Sequence, residues 1–277
     1  MEKIAIISDI HGNLEALNAV LEDIKEKKAS KIFCIGDIIA KGVHIEECVN
    51  IIKQKCDIVL KGNCEDFFCN VRDIDFLDDV NKKRYIFNRE KLSNENIEYL
   101  RKLPYSYEFN MSGRLVRIFH ASPYKINEVI INEYSIEDKY KMFLPSENTL
   151  TQEVADMVIY GHIHHQYMDK LYNKTLINTG SVGNSFDVIR NPLKDSKIYN
   201  TTQAHYIILT GDLNSTEESG ISISFESVKY DMEKELKNQD GNIEKDDYLY
   251  EMNNGLYRNM TKIKKGYLEH GIDMNKF

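Results

Sequence analysis

The sequence predicts an α/β fold, and three observations carry that prediction. Short apolar runs alternate with segments of helical periodicity through the first part of the chain. Polar residues cluster directly after each apolar run, not inside it. Hydrophobic residues make up 42% of the 277 residues, enough for a substantial core.

Residues 3–8 form an isoleucine-rich run that reads as a buried strand, broken by Asp9-Ile10-His11-Gly12-Asn13. Leu14, Leu17, Val20, Leu21 and Ile24 then recur at helical spacing. Asn13 is placed to cap that helix and is also a candidate to face a bound phosphate. Residues 31–35 read as a second strand, ending at Gly36-Asp37, and a helix over Ile45–Lys55 follows. Residues 57–60 read as a third strand, ending at Gly62-Asn63. Three strand–loop–helix units predict a parallel βαβ arrangement, with ligands bound where the strands end.

Residues 66–102 are polar and helix-prone, with Ser93 as an N-cap. Residues 108–110 and 115–119 form a hairpin pattern around Ser112-Gly113 that leads into His120. Residues 135–138 have the form of a capping box with Asp in the acidic position. Met157–Tyr160 reads as a strand ending at Gly161-His162-Ile163-His164-His165. Tyr167–Leu171 and residues 175–178 flank a turn at Tyr172-Asn173. Residues 205–209 and 221–225 are two further strands, and 185–202 is a long polar loop. Residues 1–230 read as one domain, and 231–277 as a helical extension packed on it.

The charge balance narrows the function. With 36 basic and 44 acidic residues the formal net charge is −8. Such a chain repels polyphosphate backbones, which argues against broad nucleic-acid binding. A small phosphate ester remains a plausible substrate class if the attraction is local. No apolar stretch is long enough to span a membrane, and the apolar run at the start is too short for a signal peptide. The five cysteines are odd in number and form no C-x-x-C pair, so free thiols and a cytoplasmic location are expected. The oligomeric state is left open.

Metal-ligand residue types end five separate loops: Asp9-x-His11, Gly36-Asp37, Gly62-Asn63, His120-Ala121 and Gly161-His162-x-His164. Side chains separated by one residue in an extended loop point to the same side. Asp9 with His11, and His162 with His164, are therefore each expected to converge on one small volume. Carboxylates mixed with imidazoles suit Mn, Fe, Co, Ni or Zn, whereas Ca and Mg prefer oxygen alone. The set is too large for one ion, so two ions sharing a carboxylate is the natural partition.

This ordered series resembles the calcineurin-like metallophosphoesterases, and the run Asn178-Thr179-Gly180-Ser181-Val182-Gly183 is similar to a stretch of that family. The resemblance implies a four-layer αββα sandwich with two mixed β-sheets. It implies that Asp9, His11 and His164 hold one divalent cation, manganese first, and that Asn63, His120 and His162 hold a second, with Asp37 shared. It further implies in-line attack on a phosphodiester by a metal-bridging hydroxide, with Asp37, Asn63 and His120 as catalytic residues. One position departs from the pattern. The common G-N-H-[DE] motif reads Gly62-Asn63-Cys64-Glu65 here. Cys64 then stands in the catalytic motif where an imidazole would assist the leaving group, help typically worth ~10²–10⁴-fold. The Cys form resembles a compact bacterial and archaeal branch with phosphodiesterase members. Asn13, Asn63 and Arg190 are the candidate substrate contacts; Tyr124 and Phe186 also lie in segments able to reach over the metals. A phosphomonoesterase, a non-catalytic scaffold and a nuclease are the competing readings.

Overall fold

Apolar side chains on both faces of the central strands set the layering. The computed structural model describes residues 1–70, 74–185 and 203–255, with residues 265, 268, 269 and 271. One five-stranded sheet contains β1 (Glu2–Ile7), β2 (Lys31–Cys34), β3 (Ile58–Val59), β9 (Ala204–Gly211) and β10 (Ser222–Val228), in the order β10-β9-β1-β2-β3. The other contains β4 (Ser106–Met111), β5 (Arg114–Phe119), β6 (Met157–Tyr160), β7 (Tyr167–Leu171) and β8 (Lys174–Asn178), in the order β4-β5-β6-β8-β7. Both sheets are mixed. The β1–β2 and β2–β3 pairs are parallel, as the repeated strand–helix units predict, and β9 runs antiparallel to β1.

Alternation along each strand builds the four layers. Ile4 and Ile6 of β1 and Ile207 and Leu209 of β9 face inward, against Val116 and Ile118 of β5 and Met157 and Ile159 of β6. Their neighbours Ala5, Ile7, Tyr206 and Ile208 face outward, onto a helical layer. That layer includes α1 (Leu14–Glu26), α2 (Ile45–Lys55), α3 (Asn63–Asn70), α4 (Asp79–Glu90) and α5 (Asn94–Arg101). On the far side, Phe119, Val158, Tyr160 and Leu176 pack under Ile130, Ile131, Met142 and Phe143, around α6 (Ile136–Tyr140). Each fully buried side chain of this kind contributes roughly 1.5–3 kcal/mol. Sheet packing, not loop contacts, therefore fixes where the strand ends lie.

Local chemistry sets the element ends. Asn13 caps α1 by accepting from Ala16 N at 2.9 Å, and Ser93 caps α5 by accepting from Asn96 N at 3.2 Å. Ser112 and Gly113 have positive φ, as do Tyr172 and Asn173, which suits the tight turns of two hairpins. Ser135 caps α6 through Asp138 N, and its hydroxyl also donates to the Asp138 carboxylate. Two helices close the described chain, α7 (Met232–Lys237) and α8 (Lys245–Asn254). Lys234 pairs with Glu15 of α1, Arg84 of α4 pairs with Glu244, and Tyr248 and Met252 are buried. No helix among the described residues is long and apolar enough to cross a membrane. All five cysteines are free thiols.

Candidate metal centre

The strand ends bring the predicted ligands together along one edge of the two sheets. Asp9 and His11 follow β1, Asp37 follows β2, Asn63 opens α3 after β3, His120 follows β5, and His162 and His164 follow β6. Two sets of candidate ligand atoms result: Asp9 with His11 and His164, and Asp37 with His120 and His162. A third set, His11, Asp37 and Cys64, lies between them.

The convergence does not come from extended backbone. Asp9, His11, Asp37, His162 and His164 all adopt left-handed conformations, with φ of 55°, 51°, 53°, 68° and 59°. Such backbone costs on the order of 1 kcal/mol or more per residue and persists only where neighbours over-determine it. Here Asp9 N donates to Gly36 O at 3.0 Å, His11 N to Asp37 O at 3.0 Å, and Gly12 N to Ile38 O at 2.9 Å. His162 and His164 consequently diverge. The His164 ring stacks on His11 at 4.8 Å between centroids, whereas His162 sits edge-on to His120 at 5.2 Å. Close approach also dictates two glycines. A Cβ on Gly62 would collide with the Asp37 amide and carboxylate, and one on Gly161 with Ser8 and Asp9.

In the first group, His11 Nε2 and His164 Nε2 lie 3.0 Å apart, and Asp9 Oδ1 lies 3.2 Å from His164 Nε2. A carbonyl takes the other ring nitrogen in each case: Ile39 O for His11 Nδ1 at 3.1 Å, Asn184 O for His164 Nδ1 at 2.5 Å. In the second group, His120 Nε2 lies 3.0 Å from Asn63 Oδ1 and 3.4 Å from Asp37 Oδ1, while His120 Nδ1 faces Ile35 O at 3.0 Å. Backbone carbonyls that fix Nδ1 leave Nε2 to face inward as a ligand.

Electrostatics favours the ligating forms of Asp9, Asp37, His11 and His162, and opposes that of His120. Burial alone would raise the Asp9 carboxyl, but the His164 charge opposite outweighs it and holds the group below the usual range. Burial is likewise overcome at Asp37, chiefly by His120, and that carboxyl is held well below its ordinary value. Burial, then the Lys41 charge, pushes His11 down to about 3, and burial with the His120 charge pushes His162 down to about 4. His120 moves the other way: burial opposes, but the Asp37 carboxylate raises it to about 9. Inward-facing imidazole nitrogens beside two carboxylates are a donor set that fits divalent transition metals.

Cys64 is buried and its thiol donates to Asp37 Oδ2 at 3.2 Å. Burial, with the Asp37 charge, pushes that thiol well above its ordinary range. Asn13 spends its carboxamide inside the fold. Its oxygen caps α1, and its nitrogen donates to Gly183 O at 2.9 Å and Tyr230 Oη at 3.3 Å. The side chain is fully buried, and these bonds give it the capping role that its place before α1 predicts. Arg190 and Phe186 lie outside the described residues. Tyr124 is partly exposed and donates to Lys141 O at 3.4 Å.

Sequence reasoning gave Glu65 no role. Its fully buried carboxylate accepts from Gly62 N, Asp37 N and Ile38 N, each at 2.8 Å, and so clamps the two loops that carry Asn63 and Asp37. Burial, then the Asp37 charge, pushes it up to about 7 against these donors. An acidic residue in the first turn after Gly62-Asn63 was the available signal. Ser181 is the second omission. Its hydroxyl donates to Asp9 O at 2.7 Å and accepts from Asn184 N at 2.8 Å.

Comparison with known proteins matches the same stretch of chain. The calcineurin-like phosphoesterase superfamily domain matches residues 2–193. An uncharacterized protein of Methanocaldococcus jannaschii is 31% identical over 248 residues, spanning 83% of this chain and 89% of that one. A metallophosphoesterase from Sphaerobacter thermophilus shares the fold with a TM-score of 0.67 and 20% identity, covering 92% of this chain and 99% of that one. A hypothetical protein from Pyrococcus horikoshii OT3 shares it with a TM-score of 0.64 and 19% identity, over 86% and 92% of the two chains.

Proposed function

The chain belongs to the calcineurin-like phosphoesterase superfamily, and on that premise we propose that it is a dinuclear-metal enzyme hydrolysing phosphodiesters. Asp9, His11 and His164 hold one cation, Asn63, His120 and His162 hold the other, and Asp37 is shared. The observation that carries this reading is the direction of the two Asp37 oxygens. Oδ2 lies 3.8 Å from His11 Nε2, and Oδ1 lies 3.4 Å from His120 Nε2. One carboxylate thus faces both groups. Two divalent cations bound there, manganese first among them, would supply Lewis-acid charge to the phosphoryl oxygens and lower the pKa of a bound water toward neutral.

The chain's own residues define the rest. Asn63 turns Oδ1 toward His120; its Nδ2 donates one hydrogen to Cys64 Sγ at 3.6 Å and has a second to orient a phosphoryl oxygen. His162 is the most accessible cluster histidine and lines the approach. Cys64 keeps its proton and offers it to Asp37, so it supplies no acid to a leaving group. Lys41 and Arg84, whose charges reach His11 and Cys64, are paired with Glu251 and Glu244. A singly charged diester with a stable leaving group therefore fits this site better than a dianionic monoester.

The test is metal content by mass spectrometry together with manganese-dependent hydrolysis of bis(4-nitrophenyl) phosphate and 4-nitrophenyl phosphate. Two ions per chain and a larger kcat/KM for the diester are expected. Faster monoester turnover would reverse the substrate preference. Two ions with no turnover across a broad phosphate panel would favour a non-catalytic scaffold.

A further inference from the structure

One buried carboxylate of the C-terminal helices stands behind the first ligand group. The carbonyls that hold His11 Nδ1 and His164 Nδ1 belong to Ile39 and Asn184, and neither lies in a strand. Ile39 precedes Ala40 and Lys41, both with positive φ (75° and 62°), in a loop with no regular structure of its own to hold it. Asn184 lies on the loop that follows β8. These two loops meet at Glu251 of α8. Lys41 Nζ donates to Glu251 Oε2 at 3.0 Å, and Asn184 Nδ2 donates to the same oxygen at 2.7 Å. Asn242, between α7 and α8, donates from Nδ2 to Lys41 O at 2.6 Å. Glu251, Asn184 and Lys41 are all buried.

A carboxylate is costly to bury and is retained only where it is well paired. Two of its partners are Lys41, directly after Ile39–Ala40, and Asn184 itself. Shifting either loop would move the carbonyl that aims a first-group imidazole. In the second group, His120 is aimed instead by Ile35 O, one residue past β2. We propose that Glu251 is a positioning residue for the first metal site, tying the Ile39 and Asn184 carbonyls together so that His11 and His164 hold their Nε2 atoms on one cation. The proposal rests on the two-metal reading above.

The experiment is a manganese titration of the full chain by calorimetry, comparing wild type with Glu251→Ala, Glu251→Gln, His11→Ala and Met252→Ala. His11→Ala identifies the first-site event. Glu251→Ala is expected to weaken that same event by about 10–100-fold, the usual effect of losing an outer-shell partner, and to leave the other event unchanged. Glu251→Gln keeps an acceptor for Asn184 and should fall between wild type and Glu251→Ala. Met252→Ala removes a buried side chain from the same helix. It should lower Tm while leaving both affinities unchanged, which separates positioning from general stability. If Glu251→Ala does not fold, Glu251→Gln decides by the same comparison. Two wild-type binding events with both affinities unaltered in the Glu251 variants, or with both lowered by the same factor, would overturn the positioning role alone. A wild type that takes up no ion would overturn the two-metal reading, and this role with it.

Discussion

The two ligand groups share Asp37 but are held by different kinds of structure. The second group leans on the sheet edge and the first turn of α3: His120 is aimed by Ile35 O beside the inter-sheet core, and Asp37 is held by Cys64 N at 2.8 Å and by the Glu65 clamp on its own amide. The first group leans on loops. Asp9 and His164 are braced by residues 181–184, and His11 by the loop through Lys41. Sheet-supported ligands are set by packing that forms with the fold. Loop-supported ligands depend on polar contacts drawn from distant parts of the chain. The first site should therefore be the more easily weakened of the two.

Removing the shared residue gives the largest expected effect. Asp37→Ala should abolish two-ion binding and lower kcat by about 10³-fold, the upper range for losing one main electrostatic group; retention of two ions would contradict the shared role. Glu65→Ala comes next. It strands buried amide donors that each cost about 1–3 kcal/mol when unsatisfied, so a loss of about 3 kcal/mol or more by urea denaturation is expected. Unchanged stability would show that the second group does not depend on this clamp.

Cys64→His probes the sheet-supported side without removing a ligand. An imidazole there should speed substrates with poor leaving groups by up to about 10²-fold, at the low end for general acid help, and leave nitrophenyl diesters nearly unchanged. A uniform change across leaving groups would remove leaving-group protonation as the explanation. Ser181→Ala probes the loop-supported side. It removes two bonds that brace Asp9 and Asn184, at about 0.5–1.5 kcal/mol each. Calorimetric titration should show the first site weakened and the second unaltered; equal weakening of both would erase the contrast.

The same contrast explains what was legible in the sequence. β1, β2, β6 and α2 were readable because apolar periodicity is local, and Asp9, Asp37 and His162 follow the three strands within two or three residues. The pairing of β9 with β1 was not readable, since strand neighbours across some 200 residues leave no local pattern. The extended-loop account of the D-x-H and H-x-H pairs failed for a similar reason. Left-handed backbone at Asp9 and His11 is imposed by Gly36 O and Asp37 O, which belong to another loop. Asn13 shows the limit in one residue. Its capping role is written beside it in the sequence, but its bonds to Gly183 and Tyr230 depend on the finished fold.

The smallest expected effect asks whether the helices that carry Glu251 are docked through buried polar groups as a stable unit. Glu235 of α7 is fully buried; its Oε1 accepts from Gln239 Nε2 at 2.9 Å and from Tyr248 Oη of α8 at 3.3 Å. Burial pushes this carboxyl above its ordinary value of 4.5, and the His44 charge and the Tyr248 bond only partly offset that. The folded state then holds the proton more tightly than the unfolded state. Its contribution is most favourable below the unfolded value and declines as pH rises from there through the folded value. Glu235→Gln carries no titrating proton and keeps a neutral acceptor. Thermal denaturation from about pH 4 to about pH 8 should show the wild type losing stability relative to this variant as pH increases. Parallel Tm curves would mean that Glu235 ionises without penalty, and hence that the packing of α7 on α8 opens to water before the rest of the fold does.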